Sequence, residues 1–227
     1  FPKSFTNNSC WDITQDTKGS MWFASYGGGV FKFDGENFKI FSKKNGLPVN
    51  RCRKLLGYKD KVFVGTELGV AIIDIHTNRL SVPKEILPHF GVFMVSDFFV
   101  YNNEVYFSAI NEGLFKITYK NNIPVIEPVF KFQFAYSLGF YNNTIFSGNK
   151  GFIDRLKIQD LISGKTASKS FGKSVVWDFA KDKNNTLYGA AWGIFDLSGG
   201  LYRITDNEMT NISEQYGIDS KSLLNVV

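Results

Sequence analysis

Histidine, cysteine and methionine are scarce in this 227-residue chain, at 2, 2 and 3 copies. His76 and His89 stand far apart and neither falls in an HExxH or similar metal-binding spacing. Cys10 and Cys52 are too few for a disulfide framework in a chain of this size, and no CxxC pair suggests zinc. A Gly-x-Ser-x-Gly elbow and a Walker loop are both missing. Gly27-Gly28-Gly29 lies between two strand-like runs rather than opening a helix, so it reads as a turn needing positive φ and not as a phosphate cradle. These absences lead to an expectation of no catalytic residue, no metal site and no cofactor.

Long apolar runs are missing too: no stretch approaches the roughly 18 residues that would span a bilayer. The chain opens at Phe1 inside polar, turn-rich sequence with no signal-peptide pattern, which reads as a mature or excised stretch. Basic residues outnumber acidic ones, 26 to 21, for a net charge of +5, but they never run beyond Lys43-Lys44. A nucleic-acid binder concentrates such charge on one face, so nucleic acid is not an expected partner.

What the chain has in plenty is phenylalanine, 23 copies, which suits sheet faces better than helix seams. It also repeats. The clearest copy runs Trp11-Asp12-Ile13, Asp16, Lys18-Gly19, Met21-Trp22-Phe23, Gly27-Gly28-Gly29, Val30 to Phe33, Asp34-Gly35 and Phe38. That order of apolar runs and tight turns predicts a four-stranded meander.

An aromatic in the second strand recurs as Trp22, Phe63, Tyr106, Phe146 and Tyr188, at spacings of 41, 43, 40 and 42 residues. A glycine before the third strand recurs as Gly29, Gly69, Gly113, Gly151 and Gly200. Turn residues before the second strand recur as Lys18-Gly19, Asp60-Lys61, Asn102-Asn103, Asn142-Asn143 and Asn184-Asn185. Three columns sharing one period of about forty residues predict an all-β β-propeller with five four-stranded blades.

The blades are expected over 8–49, 50–92, 93–133, 134–173 and 174–221. Ser222 to Val227 aligns with Asn8 to Ile13 and reads as the first strand of a sixth blade, as in a piece of a larger propeller, expected to be seven-bladed. Residues 155–172 read as an irregular polar insertion, a loop or short turn. An open arc would leave apolar blade faces bare, which implies self-association or packing against a second propeller.

The strings Trp11-Asp12-Ile13…Asp16…Gly19…Trp22, Tyr26-Gly27-Gly28-Gly29, Phe33-Asp34-Gly35…Phe38, Asn45-Gly46-Leu47-Pro48…Asn50 and Val64-Gly65-Thr66…Gly69-Val70 resemble the two-component regulator propeller repeat. The resemblance covers residues 8–74 and 174–227, and only spacing survives between about 93 and 165. It implies the periplasmic sensor region of a hybrid two-component histidine kinase of the kind found in Bacteroidetes. Members of that family carry two seven-bladed propellers, an immunoglobulin-like domain, a membrane helix and a kinase, and many sense oligosaccharides. The implied parent is membrane-anchored, with this segment on the extracytoplasmic side.

Aligned innermost strands give three adjacent columns. Cys10, Cys52, Val95, Ala135, Val176 and Leu224 are small or apolar and predict packed positions, with Cys10 and Cys52 as free buried thiols. Trp11, Arg53, Ser96, Tyr136, Trp177 and Asn225 vary in size, charge and aromaticity, as a surface lining a channel mouth does. Asp12, Lys54, Asp97, Ser137 and Asp178 follow.

Aromatics beside charged groups suit a sugar, whose ring face stacks while its hydroxyls seek partners. The expected ligand site is therefore Trp11, Asp12, Arg53, Lys54, Asp97, Tyr136, Trp177 and Asp178, with Tyr26 and Trp192 as weaker candidates. The alternative is that the tryptophans pack blades and the aspartates hold backbone amides. A protein-interaction scaffold and, further off, a glycoside-active propeller enzyme stay open beside the sensor.

Overall fold

The computed structural model describes residues 9–85, 93–131, 136–148, 153–163, 169–172, 174–193, 199–220, 222–223 and 226. Ala135, Gly151, Leu224, Asn225 and His89 lie outside that set. The described secondary structure is nearly all strand, arranged in five antiparallel meanders.

The first blade is β1 (Cys10–Gln15), β2 (Met21–Ser25), β3 (Gly29–Phe33) and β4 (Phe38–Phe41). The second is β5 (Cys52–Tyr58), β6 (Lys61–Thr66), β7 (Gly69–Asp74) and β8 (Leu80–Ser81), followed by the two-residue β9 (Lys84–Glu85). The third is β10 (Val95–Tyr101), β11 (Glu104–Ala109), β12 (Gly113–Lys120) and β13 (Ile123–Phe130). β9 leaves its own blade and pairs in parallel with β13, extending the third sheet by one strand.

The fourth blade is β14 (Ser137–Tyr141), β15 (Thr144–Gly148), β16 (Ile153–Lys157) and β17 (Lys169–Gly172). The fifth is β18 (Val175–Lys181), β19 (Leu187–Trp192), β20 (Gly200–Ile204) and β21 (Met209–Asn211). The chain forms two compact units, Phe1–Ala109 with Phe115–Pro128 and Ile110–Leu114 with Val129–Val227.

Each sequence column has a physical cause in these sheets. The aromatics of the second strand occupy one register: Trp22 faces Thr14, Phe63 faces Leu56, Tyr106 faces Phe99, Phe146 faces Gly139 and Tyr188 faces Ala180. The first four are buried and Tyr188 is half-buried. Two of the five have their polar handle met by an aspartate from the preceding turn. Trp22 Nε1 donates to Asp16 Oδ2 at 2.8 Å, and the Tyr188 hydroxyl to Asp182 Oδ2 at 3.4 Å.

The glycine column is held by backbone proximity. A Cβ on Gly29 would sit 2.1 Å from the Phe41 carbonyl oxygen, and one on Gly113 2.1 Å from that of Phe130. Both adopt left-handed φ, 89° and 117°. Asn102-Asn103 and Asn142-Asn143 take positive φ at both positions, the two-residue hairpin geometry that asparagine tolerates. In the second blade the turn is Lys59-Asp60, one residue earlier than the sequence alignment placed it, because Lys61 already pairs with Tyr58.

Alternation along the strands sends successive side chains to opposite faces, so each central blade contributes to two core layers. Val62, Val64, Ala71 and Ile73 join Trp22, Val30 and Phe41 of the first blade. Phe63, Val70 and Ile72 join Val95, Phe98 and Phe107 of the third. In the second unit Phe146 packs with Val176, Leu187 and Tyr202.

The sequence understates order in 155–172. β16 carries the third strand through Lys157, and a one-turn helix α1 (Ile158–Ile162) leads on toward β17. Leu156 and Ile158 are buried, which explains why a mostly polar stretch keeps the blade pattern.

Candidate functional site

The middle column of the innermost strands owes its variability to a recurring backbone irregularity. In four blades the pairing of the first and second strands shifts register, between Cys10 and Asp12, Cys52 and Lys54, Val95 and Asp97, and Val176 and Asp178. The residue passed over is Trp11, Arg53, Ser96 or Trp177. A bulge leaves one residue outside the ladder and re-aims its side chain, which frees that position from sheet packing. In the fourth blade Tyr136 lies just before the strand, its N–H donating to the Gly148 carbonyl at 2.8 Å.

In the first unit the bulge of β1 presents Trp11, 43% exposed, stacked on Tyr26, 41% exposed, with centroids 5.0 Å apart and planes 20° from parallel. The bulge of β5 presents Arg53, whose guanidinium carbon lies 4.5 Å from the Trp11 ring centroid. Arg51, bridged to Tyr26 across the strands, ion-pairs through Nε with Glu67 Oε2. That hydrogen bond and the Glu67 charge raise the Arg51 pKa, whereas burial lowers that of Arg53. Arg53 makes no hydrogen bond or ion pair among the described residues. Ser96 departs from the expected lining, because it is buried with its hydroxyl 2.7 Å from that of Ser108.

In the second unit the same positions build an aromatic group. Trp177 lies between Tyr136, at 4.8 Å, and Trp192, at 6.0 Å. Trp192 is 36% exposed, and the Trp177 indole N–H is buried with no hydrogen-bond partner among the described residues.

The third column has a different duty. Asp12 Oδ2 accepts the Leu55 N–H at 2.7 Å, joining first blade to second, and its Oδ1 accepts the Ile13 N–H at 3.0 Å. Asp178 Oδ2 accepts the Val226 N–H at 3.2 Å in the same manner, and Asp97 Oδ1 accepts the Phe98 N–H at 2.9 Å. Lys54 is half-buried in β5, and Ser137 donates to the Val176 carbonyl at 2.7 Å. Asp12 and Asp178 hold neighbouring segments, Asp97 its own strand, and of the bulged side chains Trp11 is the one that is clearly exposed.

Two corrections concern the first column. Cys52, Val95 and Val176 are buried as expected, and both thiols are free, but Cys10 is exposed. It stands at the start of β1, where Trp11 and Ile13 are exposed as well. Burial pushes the Cys52 thiol up to about 12. The terminal alignment also moves by one. Ser222 bridges Trp192 as Arg51 bridges Tyr26, and Val226 meets Asp178 as Leu55 meets Asp12, so Leu223 rather than Leu224 corresponds to Cys52.

Arg51 and Glu67 were missed by the columns. The signal available was the i, i+2 spacing of Arg51 and Arg53, which shares a strand side when the ladder is regular. Among the described residues no group of three or more His, Cys, Asp or Glu could hold a metal ion, and no helix is long and apolar enough to cross a membrane.

No family model and no curated protein matches the chain. Solved structures do. The extracellular domain of a B. thetaiotaomicron protein named as a hybrid two-component system aligns over 91% of this chain and 30% of its own, at 19% identity and TM-score 0.70. That of a B. thetaiotaomicron protein named as a one-component system aligns over 97% of this chain and 35% of its own, at 17% identity and TM-score 0.53. A catalytically inactive virginiamycin B lyase from Staphylococcus aureus, solved with quinupristin, aligns over 90% and 70%, at 16% identity and TM-score 0.66.

The fold is a five-bladed stretch of β-propeller. The chain spans about a third of the length of the two extracellular domains it matches. At these identities the likeness speaks for the fold alone.

Proposed function

We propose that this chain is an extracytoplasmic ligand-sensing propeller segment of a two-component signalling receptor, and that it recognises an oligosaccharide through its bulged innermost-strand residues. The observation that carries the reading is the exposed ring pair Trp11–Tyr26, with Trp11 set out from the sheet by a bulge that recurs in four blades. Exposed stacked aromatics offer a flat apolar face to a sugar ring at little entropic cost. The two extracellular domains of similar fold belong to signalling systems by name, which supports a sensing role and a place on the periplasmic side of an anchored parent.

Ligand binding signals by favouring one packing of the segment against a second propeller, and it shifts that balance only through unequal affinity for the two packings. Leu223 and Val226 donate their N–H groups to the Ala191 carbonyl and to Asp178, as Leu55 donates to Asp12 between the first two blades.

The test is a glycan array probed with the 227-residue chain and with a variant carrying Trp11→Ala, Arg53→Ala and Trp177→Ala. The expected result is a saccharide bound by the natural chain and lost from the variant. Unchanged binding would sink the site, and an array with no bound glycan would put the protein-interaction scaffold first.

A further inference from the structure

The Trp11–Tyr26–Arg53 cluster contains a cation that no carboxylate pairs with directly among the described residues. Glu67, whose charge acts on Arg53, is ion-paired with Arg51. The Asp12 carboxylate is bound to the Leu55 and Ile13 amides. Arg53 is half-buried against the Trp11 ring and makes no hydrogen bond or ion pair among the described residues. A guanidinium carries five N–H donors in a fixed fork that matches a carboxylate or sulfate in two-point contact. Trp11 lies between Tyr26 and the Arg53 guanidinium, which fixes that fork beside the partly exposed Tyr26 ring, so an oxyanion and an aromatic surface are addressed together.

We infer that this cluster takes an acidic saccharide, its carboxylate or sulfate on the Arg53 guanidinium and its ring against the Trp11–Tyr26 pair. The inference rests on the sensing site proposed for these residues and narrows its ligand. The second unit offers no counterpart to Arg53 among the described residues around Trp177, so the acidic preference belongs to the first unit's cluster. The chain's net charge of +5 gives a general attraction to polyanions that the test must separate from this contact.

The experiment is calorimetric titration of the 227-residue chain with three probes of matched length: an oligogalacturonate, a sulfated glucan oligosaccharide and the corresponding neutral glucan oligosaccharide. At least one acidic probe is expected to bind, with the neutral one weaker by about tenfold or more. Arg53→Gln is expected to weaken acidic binding by roughly ten- to a hundredfold, as loss of a charged two-point contact does. Arg79→Gln, which removes the same charge from an exposed turn, is expected to leave it unchanged. Oligogalacturonate binding alone identifies a carboxylate, and sulfated binding alone a sulfate.

Equal loss in Arg53→Gln and Arg79→Gln would reduce the effect to bulk charge and overturn the inference. A neutral probe that binds as tightly as the acidic ones and is lost in Trp11→Ala would overturn it while leaving the sensing site standing. No binding of any acidic probe would overturn it as well, and a neutral probe unaffected by Trp11→Ala would remove the site itself.

Discussion

The two aromatic clusters occupy corresponding places in the repeat and differ in chemistry. Trp11 and Trp177 are both bulged residues of a first strand, and Tyr26 and Trp192 both follow or end a second strand and bridge to the segment after. Around Trp11 the neighbours are one stacked aromatic, an arginine, an ion pair and solvent. Around Trp177 they are two more aromatics and a buried N–H without an acceptor. The backbone is held constant and the bulge is where composition varies, because a residue outside the ladder is released from the packing that fixes its neighbours. One repeat therefore supports two aromatic clusters, one carrying a cation and the other a third ring.

The largest effect that can sharpen this contrast separates the bulge column from the core column. Trp22→Ala and Phe146→Ala, one in each unit and both fully buried, are expected to lose about 3–5 kcal/mol. Trp11→Ala and Trp192→Ala are expected to lose about 1 kcal/mol or less. Urea unfolding of the four variants makes the comparison. Equal losses would make the bulged aromatics structural. Next in size are Asp12→Ala and Asp178→Ala, each leaving an interblade amide without its acceptor. Both are expected to cost about 1–3 kcal/mol, and a cost in only one unit would break the equivalence drawn between them.

Trp177→Phe is expected to fall within about 1 kcal/mol of neutral, because it deletes an unsatisfied donor along with some ring area. Trp22→Phe removes a donor that Asp16 accepts, and it should cost more. The smallest effect is that of pH. Backbone hydrogen bonds hold the Asp34, Asp74 and Asp182 carboxyls below their ordinary 3.8, chiefly from Asn37, Thr77 and Thr186 respectively. A depressed native pKa contributes stability that is present above the unfolded value and lost as pH falls through the native one. Melting temperature should therefore be level down to about pH 4 and fall beneath it, less steeply in Asp182→Ala.

The blade repeat was legible because each of its columns has a cause that acts through residue type. Gly29 and Gly113 sit where a Cβ would strike a carbonyl, and Trp22 and Phe146 fill positions closed to solvent. The site was legible as a column but not as geometry. Its variable residues stood out, yet nothing in the spacing revealed that a register shift lifts them from the sheet, or that Asp12 and Asp178 are spent on backbone amides. Arg51 and Glu67 stayed hidden because their pairing crosses from the start of β5 to the turn after β6. Cys10 was misplaced because its column was read from the blades whose equivalent residues are covered.

The most direct measurement is oxidative footprinting of the tryptophans with and without a glycan found to bind. Trp11 and Trp192 are exposed and Trp22 is fully buried, so only the first two should react readily in the free chain. Bound glycan is expected to protect Trp11, Trp192 or both while Trp22 stays unreactive throughout. Saturating glycan that leaves the reactivity of both exposed indoles unchanged would contradict it.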